Sequence, residues 1–318
     1  MKSPNLDIPL SVIIVSYNTK DIIQECLTSL FANGLNGMEI IVVDNNSSDS
    51  TLEMIKTGFS DVIVISNPDN RGFAAANNQG IEISLGKYIL LLNPDTIVKG
   101  ECLMKCYKYM ENHVETGILG CRILNPDSTV QPSVRDFHGF WNSIFESFFL
   151  TKIFGKIKLF GKYHGTCYNY DKNIDANVLL GAFLFIRKEL IEQIGPLDER
   201  FFIYSEETDL CYRAKKTGWK NVFYPGAEII HIHGESTSNI KIQAFLHLHN
   251  SLNKYLRKHK WYLISLICRI VLFFGVTVRM IAWFIFSIIT LDKQRYDKFR
   301  VYLSTFLWYI KLRKIKIT

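Results

Sequence analysis

Residues 88–96, YILLLNPDT, are the stretch that decides the fold. The run at 88–92 has the length and the apolar character of a buried strand. Asn93, Pro94 and Asp95 follow it without a linker. A strand that ends in a carboxylate is typical of an open α/β sheet, because ligands bind in the crevice at the carboxyl ends of the strands. A strand-end Asp is also a common turn former or helix cap, so both interpretations stay open for Asp95.

On both sides of this stretch, apolar runs of strand length alternate with segments of helical periodicity. Before it, the predicted strands are 10–16 (LSVIIVS), 38–43 and 62–66, and the predicted helices are 22–30, 52–55 and 72–84. After it, we predict strands at 117–123, 178–187, 222–224 and 228–231, helices at 101–111, 188–194 and 209–217, and a loop-rich stretch up to residue 177. This alternation predicts an α/β fold with a Rossmann-like, mostly parallel central sheet flanked by helices.

The chain has 318 residues and a net charge of +7, and the charge is unevenly distributed. Residues from 254 onward carry +12, whereas the residues before them carry −5. The basic character therefore belongs to the C-terminal part. We predict an α/β domain at 1–255 and a basic, apolar helical tail at 256–318.

The tail is overwhelmingly apolar over 261–291, where only Arg269 and Arg279 interrupt it. Its uncharged runs, 270–278 and 280–291, are shorter than the ~18–20 residues that a simple spanning helix needs. Because basic residues flank it, we predict a pair of interfacial helices on an anionic membrane surface, with a buried helical cap as the alternative. Charges that flank apolar runs do not form a continuous polar face, so nucleic-acid binding is disfavoured.

Two further features bear on location. The seven cysteines contain no C-x-x-C pair, which argues against a disulfide framework and a zinc knuckle and favours a reducing compartment. Residues 1–9 hold no apolar core segment, so we expect no secretory signal and a cytosolic α/β domain.

A second acidic cluster, Glu206-Glu207-Thr208-Asp209, precedes a predicted helix and could supply a proton acceptor, although paired acids are more often a solvated face. The first strand-to-helix turn, SYNTK at 16–20, has no glycine to let the backbone approach a pyrophosphate, and the chain has no G-x-x-x-x-G-K-[ST] loop. Dinucleotide and P-loop chemistry are therefore disfavoured. A diphosphate held through a divalent cation remains, for which oxygen ligands such as Asp95 are suited.

Seven motifs in order carry a family resemblance. They are VIIVSYNT at 12–19, IVVDNNSSD at 41–49, NRGFAAANNQGI at 70–81, LLNPDT at 91–96, GAFLFIRKELIEQIGPLDERFF at 181–202, YSEETDLCYRAKKTGW at 204–219 and HIHGES at 231–236. Over 9–260 the chain resembles the inverting nucleotide-sugar glycosyltransferases of family 2, which have the GT-A fold, and in particular their bacterial rhamnosyltransferase-like branch. Agreement across independent segments supports the match.

The resemblance implies a set of substrate-binding side chains: Ser16, Tyr17, Asp44, Arg71, Asn78, Asn93, Asp95, Asp198 and Trp219. Asp44 would contact the nucleotide base or ribose. Asp198 would touch the acceptor or serve a turn, and Trp219 would stack on a sugar or lie in the core.

The resemblance also implies a metal site. Asn93-Pro94-Asp95 corresponds to the family's D-x-D segment, with Asn93 in place of the first carboxylate and Asp95 as the acid that remains. His231 corresponds to a later metal-facing position, although a lone histidine is more often a core residue, and His233 is expected to be structural. The implied cofactor is a divalent cation, Mg²⁺ or Mn²⁺, and imidazole would favour Mn²⁺.

Glu206 and Glu207 correspond to the family's acidic pair, and Glu207 takes the place of the general base. One base and one cation imply a single displacement with inversion at C1. Asp209 is expected to be structural.

The function that the resemblance implies is sugar transfer from a nucleotide-sugar donor, with dTDP-rhamnose as one candidate, to a growing, lipid-linked or free surface glycan at the cytoplasmic face of the membrane. A non-catalytic nucleotide-sugar-binding scaffold is the main alternative, because Asn93 and Glu207 depart from the usual acids. A nucleotidyltransferase is a third, disfavoured by the missing triphosphate loop.

Overall fold

The computed structural model describes residues 8–232 and 241–311. Contacts divide the chain into two compact units, 1–136 with 168–202 and 206–236, and 137–167 with 203–205 and 237–318. The predicted domain boundary at 255/256 falls inside a helix, Lys241–His259. That helix and the segment 137–167 group with the tail, because helices of the tail pack on them.

The described part of the first unit contains eleven strands and six helices. The strands are β1 (Leu10–Ser16), β2 (Glu39–Asp44), β3 (Ile63–Ser66), β4 (Tyr88–Leu92), β5 (Thr96–Val98), β6 (Thr116–Leu124), β7 (Val134–Arg135), β8 (Ile174–Ala176), β9 (Val178–Leu179), β10 (Phe183–Arg187) and β11 (Lys220–His231). The helices of the whole described chain are α1 (Lys20–Asn33), α2 (Thr51–Gly58), α3 (Phe73–Ile83), α4 (Cys102–Asn112), α5 (Phe140–Ser147), α6 (Leu150–Ile153), α7 (Lys158–Gly161), α8 (Lys188–Ile194), α9 (Glu206–Lys216), α10 (Lys241–His259), α11 (Tyr262–Thr290) and α12 (Lys293–Tyr309).

Nine of these strands form one sheet in the order β3-β2-β1-β4-β10-β6-β11-β5, with β8 paired to β11, and β7 and β9 form a separate ribbon. β1 to β4 are mutually parallel, and β10 runs antiparallel to β4 and β6. All seven residues of β1 are buried, as expected for a central strand covered on both faces. Helix α1 buries Ile23, Cys26, Leu27 and Leu30, which lie three or four residues apart on one face. The α/β GT-A-type architecture is confirmed.

Two predicted strands differ from the structure. The single strand predicted at 178–187 is divided into β9 and β10, because β9 pairs with β7 whereas β10 joins the main sheet. The two short strands predicted at 222–224 and 228–231 are one strand, β11, whose pairing with β6 shifts register between Tyr224 and Glu228.

The second unit is helical, including 140–147, where the sequence predicted a loop-rich stretch. The apolar segment predicted to form a pair of interfacial helices is one continuous helix, α11, because arginine is a good helix former and does not interrupt it at 269 or 279. Among the described helices, α11 alone is long and apolar enough to cross a membrane, by length and composition. A Cβ at Gly275 would lie 2.5 Å from Ser147 Oγ, so glycine allows α11 to approach α5 closely.

One face of α11 is apolar and exposed along its length. Its residues recur every three or four positions, at Leu263, Ile267, Ile270, Phe274, Val278, Ile281, Ile285 and Ile288. This period is that of a helix face, so the exposed side chains form a continuous apolar stripe. Such a stripe fits membrane association.

Candidate active site

The carboxyl ends of β1, β2 and β4 lie side by side at one edge of the sheet. Ser16 is opposite Asp44, and Leu92 is opposite Ile14, two residues before Ser16. The strand order reverses between β1 and β4, and such a reversal opens a ligand crevice at the carboxyl ends of the strands. Ser16, Tyr17, Asp44 and the segment 93–95 are therefore brought to the same edge.

The loops after β1 and β2 are tied together at this edge. The Asn18 backbone N–H donates to Ser47 Oγ (2.9 Å), and the Ser48 N–H donates to Asn18 Oδ1 (2.7 Å). Asn18 has φ of 53°, a left-handed conformation that Asn tolerates better than most residues. Sequence patterns marked these segments as loops, but the bonds between them depend on strand order.

Asp44 is buried at this edge. Its Oδ2 accepts a hydrogen bond from the Ser47 N–H (3.0 Å), whereas its buried Oδ1 has no hydrogen-bond partner among the described residues. A buried acceptor without a partner is costly, and a ligand N–H or hydroxyl would satisfy it. Exposed Arg71 lies near Asp44. The residue after Asp44, Asn45, donates a hydrogen bond from its Nδ2 to the carbonyl of Gly72, the residue after Arg71 (3.2 Å).

Asn78 and Asp198 make contacts within and around one turn. The Asn78 amide donates to the Leu197 carbonyl (2.8 Å) and accepts from the Leu197 N–H (3.0 Å), so it supports the turn that carries Asp198. Asp198 pairs with Arg200 at 2.6 Å. These contacts favour a turn role for Asp198, one of the two roles that the sequence left open.

Trp219 is not brought to the crevice. It precedes β11, whose first residue Lys220 is opposite Thr116 at the start of β6. Because β6 is parallel to β4, that position lies at the amino-terminal edge of the sheet, away from Asp95. The Trp219 Nε1–H donates to Gln193 Oε1 (2.6 Å). The structure corrects the predicted sugar contact in favour of the packing role.

Asp95 and His231 lie together, as the sequence predicted. Both are buried, and Asp95 Oδ1 is 3.2 Å from His231 Nε2. The two residues meet because β5 pairs with β11, with Thr96 opposite His231. Asn93 Nδ2 lies 3.5 Å from the same ring nitrogen. His233 lies outside the described residues.

Gln131 orients the His231 ring. Its Oε1 lies 2.9 Å from His231 Nδ1 and can only accept, so Nδ1 donates this hydrogen bond and Nε2 faces Asp95. An imidazole nitrogen and a carboxylate oxygen that face each other suit a divalent cation such as Mn²⁺. Among the described residues, no third His, Cys, Asp or Glu joins them.

Glu206 and Glu207 begin α9. Burial, followed by the charge of Glu207, raises the pKa of Glu206 well above its usual range, and its buried Oε2 has no hydrogen-bond partner among the described residues. Burial also raises the pKa of Glu207, against the opposing effects of backbone hydrogen bonds and of the Arg135 cation. A carboxylate with a raised pKa is a stronger base, which is what proton abstraction requires.

Glu207 and the strand end that carries Asp95 are connected through two short links. The Asn93 N–H donates to the Ala182 carbonyl (3.1 Å), where β4 meets β10. The preceding residue, Gly181, faces Glu207: a Cβ at 181 would lie 3.6 Å from Glu207 Cβ. The predicted base thus lies beside Gly181, and the segment 93–95, which carries the predicted cation ligand, is bonded through Asn93 to the next residue, Ala182.

Sequence reasoning missed Gln131 and Arg135. They lie on the segment that enters β7, whose pairing places Arg135 opposite Val178 in β9. No periodic pattern marks this segment, and Gln131 lies one hundred residues before His231. Only the pairing of distant strands could have revealed them.

Asp209 has a structural role, as expected. It is buried and accepts a hydrogen bond from Arg213 Nε (2.8 Å). The same guanidinium donates to the carbonyls of Ile194, Gly195 and Pro196. The pair therefore joins α9 to the turn after α8.

Comparisons with known proteins agree with this architecture. The family model "Glycosyl transferase family 2" matches residues 11–194. N-acetylglucosaminyl-diphospho-decaprenol L-rhamnosyltransferase of Mycobacterium tuberculosis is 25% identical over 247 residues, which cover 72% of this chain and 77% of that protein. The low-salt glycan biosynthesis hexosyltransferase Agl10 of Haloferax volcanii is 30% identical over 211 residues, 65% of this chain and 62% of the relative.

Among solved structures, the mannosyltransferase PcManGT from Pyrobaculum calidifontis, in complex with GDP-Man and Mn²⁺, has a TM-score of 0.57 and 15% identity. The similarity covers 98% of this chain and 89% of that one, and it supports the fold. The resemblance to family 2 and to its rhamnosyltransferase-like branch is confirmed by the family model and the M. tuberculosis relative. The chain belongs to glycosyl transferase family 2 and is a nucleotide-sugar-dependent glycosyltransferase.

Proposed function

We propose that this enzyme transfers a sugar from a nucleotide-sugar to a hydroxyl of a lipid-linked cell-surface glycan, with inversion at the anomeric carbon. The observation that carries the proposal is the Asp95–His231 pair at 3.2 Å, on a segment whose Asn93 is bonded to Ala182, together with Glu207 beside the adjoining Gly181. The M. tuberculosis relative is named as an N-acetylglucosaminyl-diphospho-decaprenol L-rhamnosyltransferase, which supports L-rhamnose as the transferred sugar and a lipid-linked acceptor. We propose dTDP-rhamnose as the donor on this basis.

Glu207 acts as the general base. Its carboxylate accepts the proton of the acceptor hydroxyl while that oxygen bonds to C1 of the donor sugar and the bond from C1 to the diphosphate breaks. Attack on the face opposite the leaving group inverts C1. Asp44 receives a hydrogen bond from the nucleoside through its Oδ1, which has no other partner among the described residues.

Asp95 and His231 would hold a divalent cation, with Asn93 beside them. The fit rests on the Gln131 hydrogen bond, which holds the His231 ring through Nδ1 and leaves Nε2 directed at the carboxylate. A cation bound there would neutralise charge on the departing nucleoside diphosphate. Mn²⁺ suits a mixed nitrogen and oxygen ligand set better than Mg²⁺ does.

The direct test is to incubate the purified enzyme with a panel of nucleotide-sugars and Mn²⁺ and to identify the released nucleotide. Release of a nucleoside diphosphate supports glycosyl transfer, and release of inorganic diphosphate from a nucleoside triphosphate would instead indicate a nucleotidyltransferase. If the wild type and Glu207→Gln both show near-zero turnover, the protein is better explained as a non-catalytic nucleotide-sugar-binding scaffold. The amide of Asn93, in place of a carboxylate, is the observation that favours this alternative.

The acid limb of the pH profile should depend on Arg135. Its cation opposes the burial that raises the pKa of Glu207. In Arg135→Met that opposition is lost, so Glu207 stays protonated to higher pH and the fall in kcat on acidification begins at higher pH. Profiles of kcat against pH for the wild type and for Arg135→Met and Arg135→Lys measure this. Arg135→Lys should restore most of the wild-type limb, and identical limbs in all three proteins would contradict the assignment.

We further propose that the apolar stripe of α11 holds the enzyme at the cytoplasmic face of the membrane. In the triple variant Ile270→Gln, Phe274→Gln, Ile281→Gln, three side chains that are 51–58% exposed lose their apolar character. Because each fully buried side chain of this size is worth about 1.5–3 kcal/mol, membrane partitioning should fall by at least about tenfold. Vesicle co-sedimentation measures the change.

A matched control removes equivalent apolar groups from the first unit. Ile63, Ile83 and Leu85 are 42–68% exposed there, and changing all three to Gln should leave partitioning within about twofold. An equal loss in both triple variants would argue against a specific role for the stripe.

A further inference from the structure

The second unit contains a large cavity remote in sequence from the active-site motifs. Its volume is about 1030 Å³, and α11, α12 and the segment 146–166 form most of its wall. Small-molecule sites are usually about 300–1,000 Å³ in volume. The cavity is therefore larger than an inorganic phosphate or diphosphate requires.

Positive charge predominates in the cavity. Its ionic lining consists of Lys152, Lys156, Arg279 and Lys298 against one carboxylate, Glu146. That carboxylate is already engaged, because Glu146 Oε1 lies 2.6 Å from His164 Nε2. The excess of cations suits a ligand group with more than one negative charge.

Arg279 is held at the cavity wall. Its guanidinium donates to the Glu146 carbonyl and lies 4.3 Å from the centroid of the Phe149 ring. A charged side chain within a long apolar helix is costly, and such residues are usually paired and functional. The planar fork of arginine presents several donors at once, which matches phosphate oxygens.

Most of the remaining lining is apolar, and it is continuous with exposed apolar surface. Ile153, Phe154 and Ile157 line the cavity and are 66%, 43% and 52% exposed. Across the cavity, Lys298 Nζ lies 4.5 Å from the centroid of the Trp283 ring, so a cation and an aromatic face adjoin. A ligand with a charged head and a hydrocarbon chain would satisfy both kinds of wall.

We propose that this cavity binds the diphosphate head and the first units of the chain of an isoprenoid diphosphate lipid. A diphosphate ester carries more negative charge than the single charge of a phospholipid phosphodiester, and four cations favour the former. The inference rests on the proposed function, because such a lipid would be the carrier of the acceptor glycan.

The test uses the full-length enzyme in detergent and farnesyl diphosphate as the probe, with binding measured by calorimetry. The double variant Lys152→Gln, Lys298→Gln loses two exposed cations of the lining. Its Kd for farnesyl diphosphate should be at least about tenfold higher than that of the wild type. The matched control, Lys158→Gln, Lys293→Gln, removes two exposed cations outside the lining and should stay within about twofold of the wild type. Circular dichroism checks that both variants are folded.

Competition separates the possible sources of the anion. Inorganic diphosphate and farnesol should each compete at least about tenfold more weakly than farnesyl diphosphate, because each supplies half of the ligand. Equal competition by phosphatidylglycerol, or equal Kd in the two double variants, would overturn the proposal. Donor turnover is measured separately in the wild type. If the wild-type enzyme binds farnesyl diphosphate but turns over no nucleotide-sugar, the result counts against the proposed transfer reaction and leaves the cavity assignment standing.

Discussion

Glu207→Gln is expected to lower kcat for sugar transfer by about 10³-fold, because general-base catalysis typically contributes about 10²–10⁴-fold. The amide has nearly the shape of the carboxylate but cannot take a proton from the acceptor hydroxyl. Donor binding should change little, since Glu207 lies beside Gly181, whereas the nucleotide contacts are assigned to the ends of β1 and β2. Steady-state kinetics and calorimetric binding of the nucleoside diphosphate separate the two quantities.

Glu206→Gln is the informative comparison for this variant. Burial and the neighbouring Glu207 charge raise the pKa of Glu206 well above its usual range, which favours the neutral form of its side chain. An amide is a close substitute for a neutral carboxyl group, and kcat should fall by less than about tenfold. If Glu206→Gln proved as damaging as Glu207→Gln, the base would have to be reassigned within the pair.

Asp95→Asn is expected to lower kcat/KM by on the order of 10³-fold, because a catalytic cation contributes several kcal/mol of charge stabilisation. The variant keeps the shape of the side chain and removes the negative charge that faces His231 Nε2 at 3.2 Å. With an amide also at Asn93, no carboxylate would remain in the segment 93–95. Activity should become dependent on much higher Mn²⁺ concentrations, which a metal titration of the reaction measures.

Asp127→Asn provides the control for this change. Asp127 is an exposed turn residue whose Oδ1 accepts from Thr129 Oγ1 (2.6 Å). Its substitution should leave both kcat/KM and the Mn²⁺ requirement within about twofold of the wild type. A wild-type enzyme that keeps full activity in excess chelator would contradict the metal assignment, whatever the behaviour of the Asp95 variant.

The central sheet was predictable because its strands are marked locally. Apolar runs such as 10–16 and 88–92 are buried on both faces, and this burial is visible in the composition of each run. The tail was less predictable. The lengths of the uncharged runs predicted that the segment 261–291 is broken at Arg269 and Arg279. The structure instead has one continuous helix, and Arg279 donates a hydrogen bond to the Glu146 carbonyl. Such a contact with a residue far away in sequence leaves no local signal.

The sequence by itself determined the α/β architecture and the family, and it led to the proposal of Asp95, His231 and Glu207 as site residues, because strand ends and the order of motifs can be read along the chain. Only the tertiary structure decided which side chains support them. Gln131 reaches His231, and Arg135 comes close enough for its charge to act on Glu207, because the pairing of β11 with β5 and of β7 with β9 brings distant segments together. Trp219 lies at the opposite edge of the sheet for the same reason. The order and direction of the strands decide where each strand end lies, and sequence periodicity does not encode them.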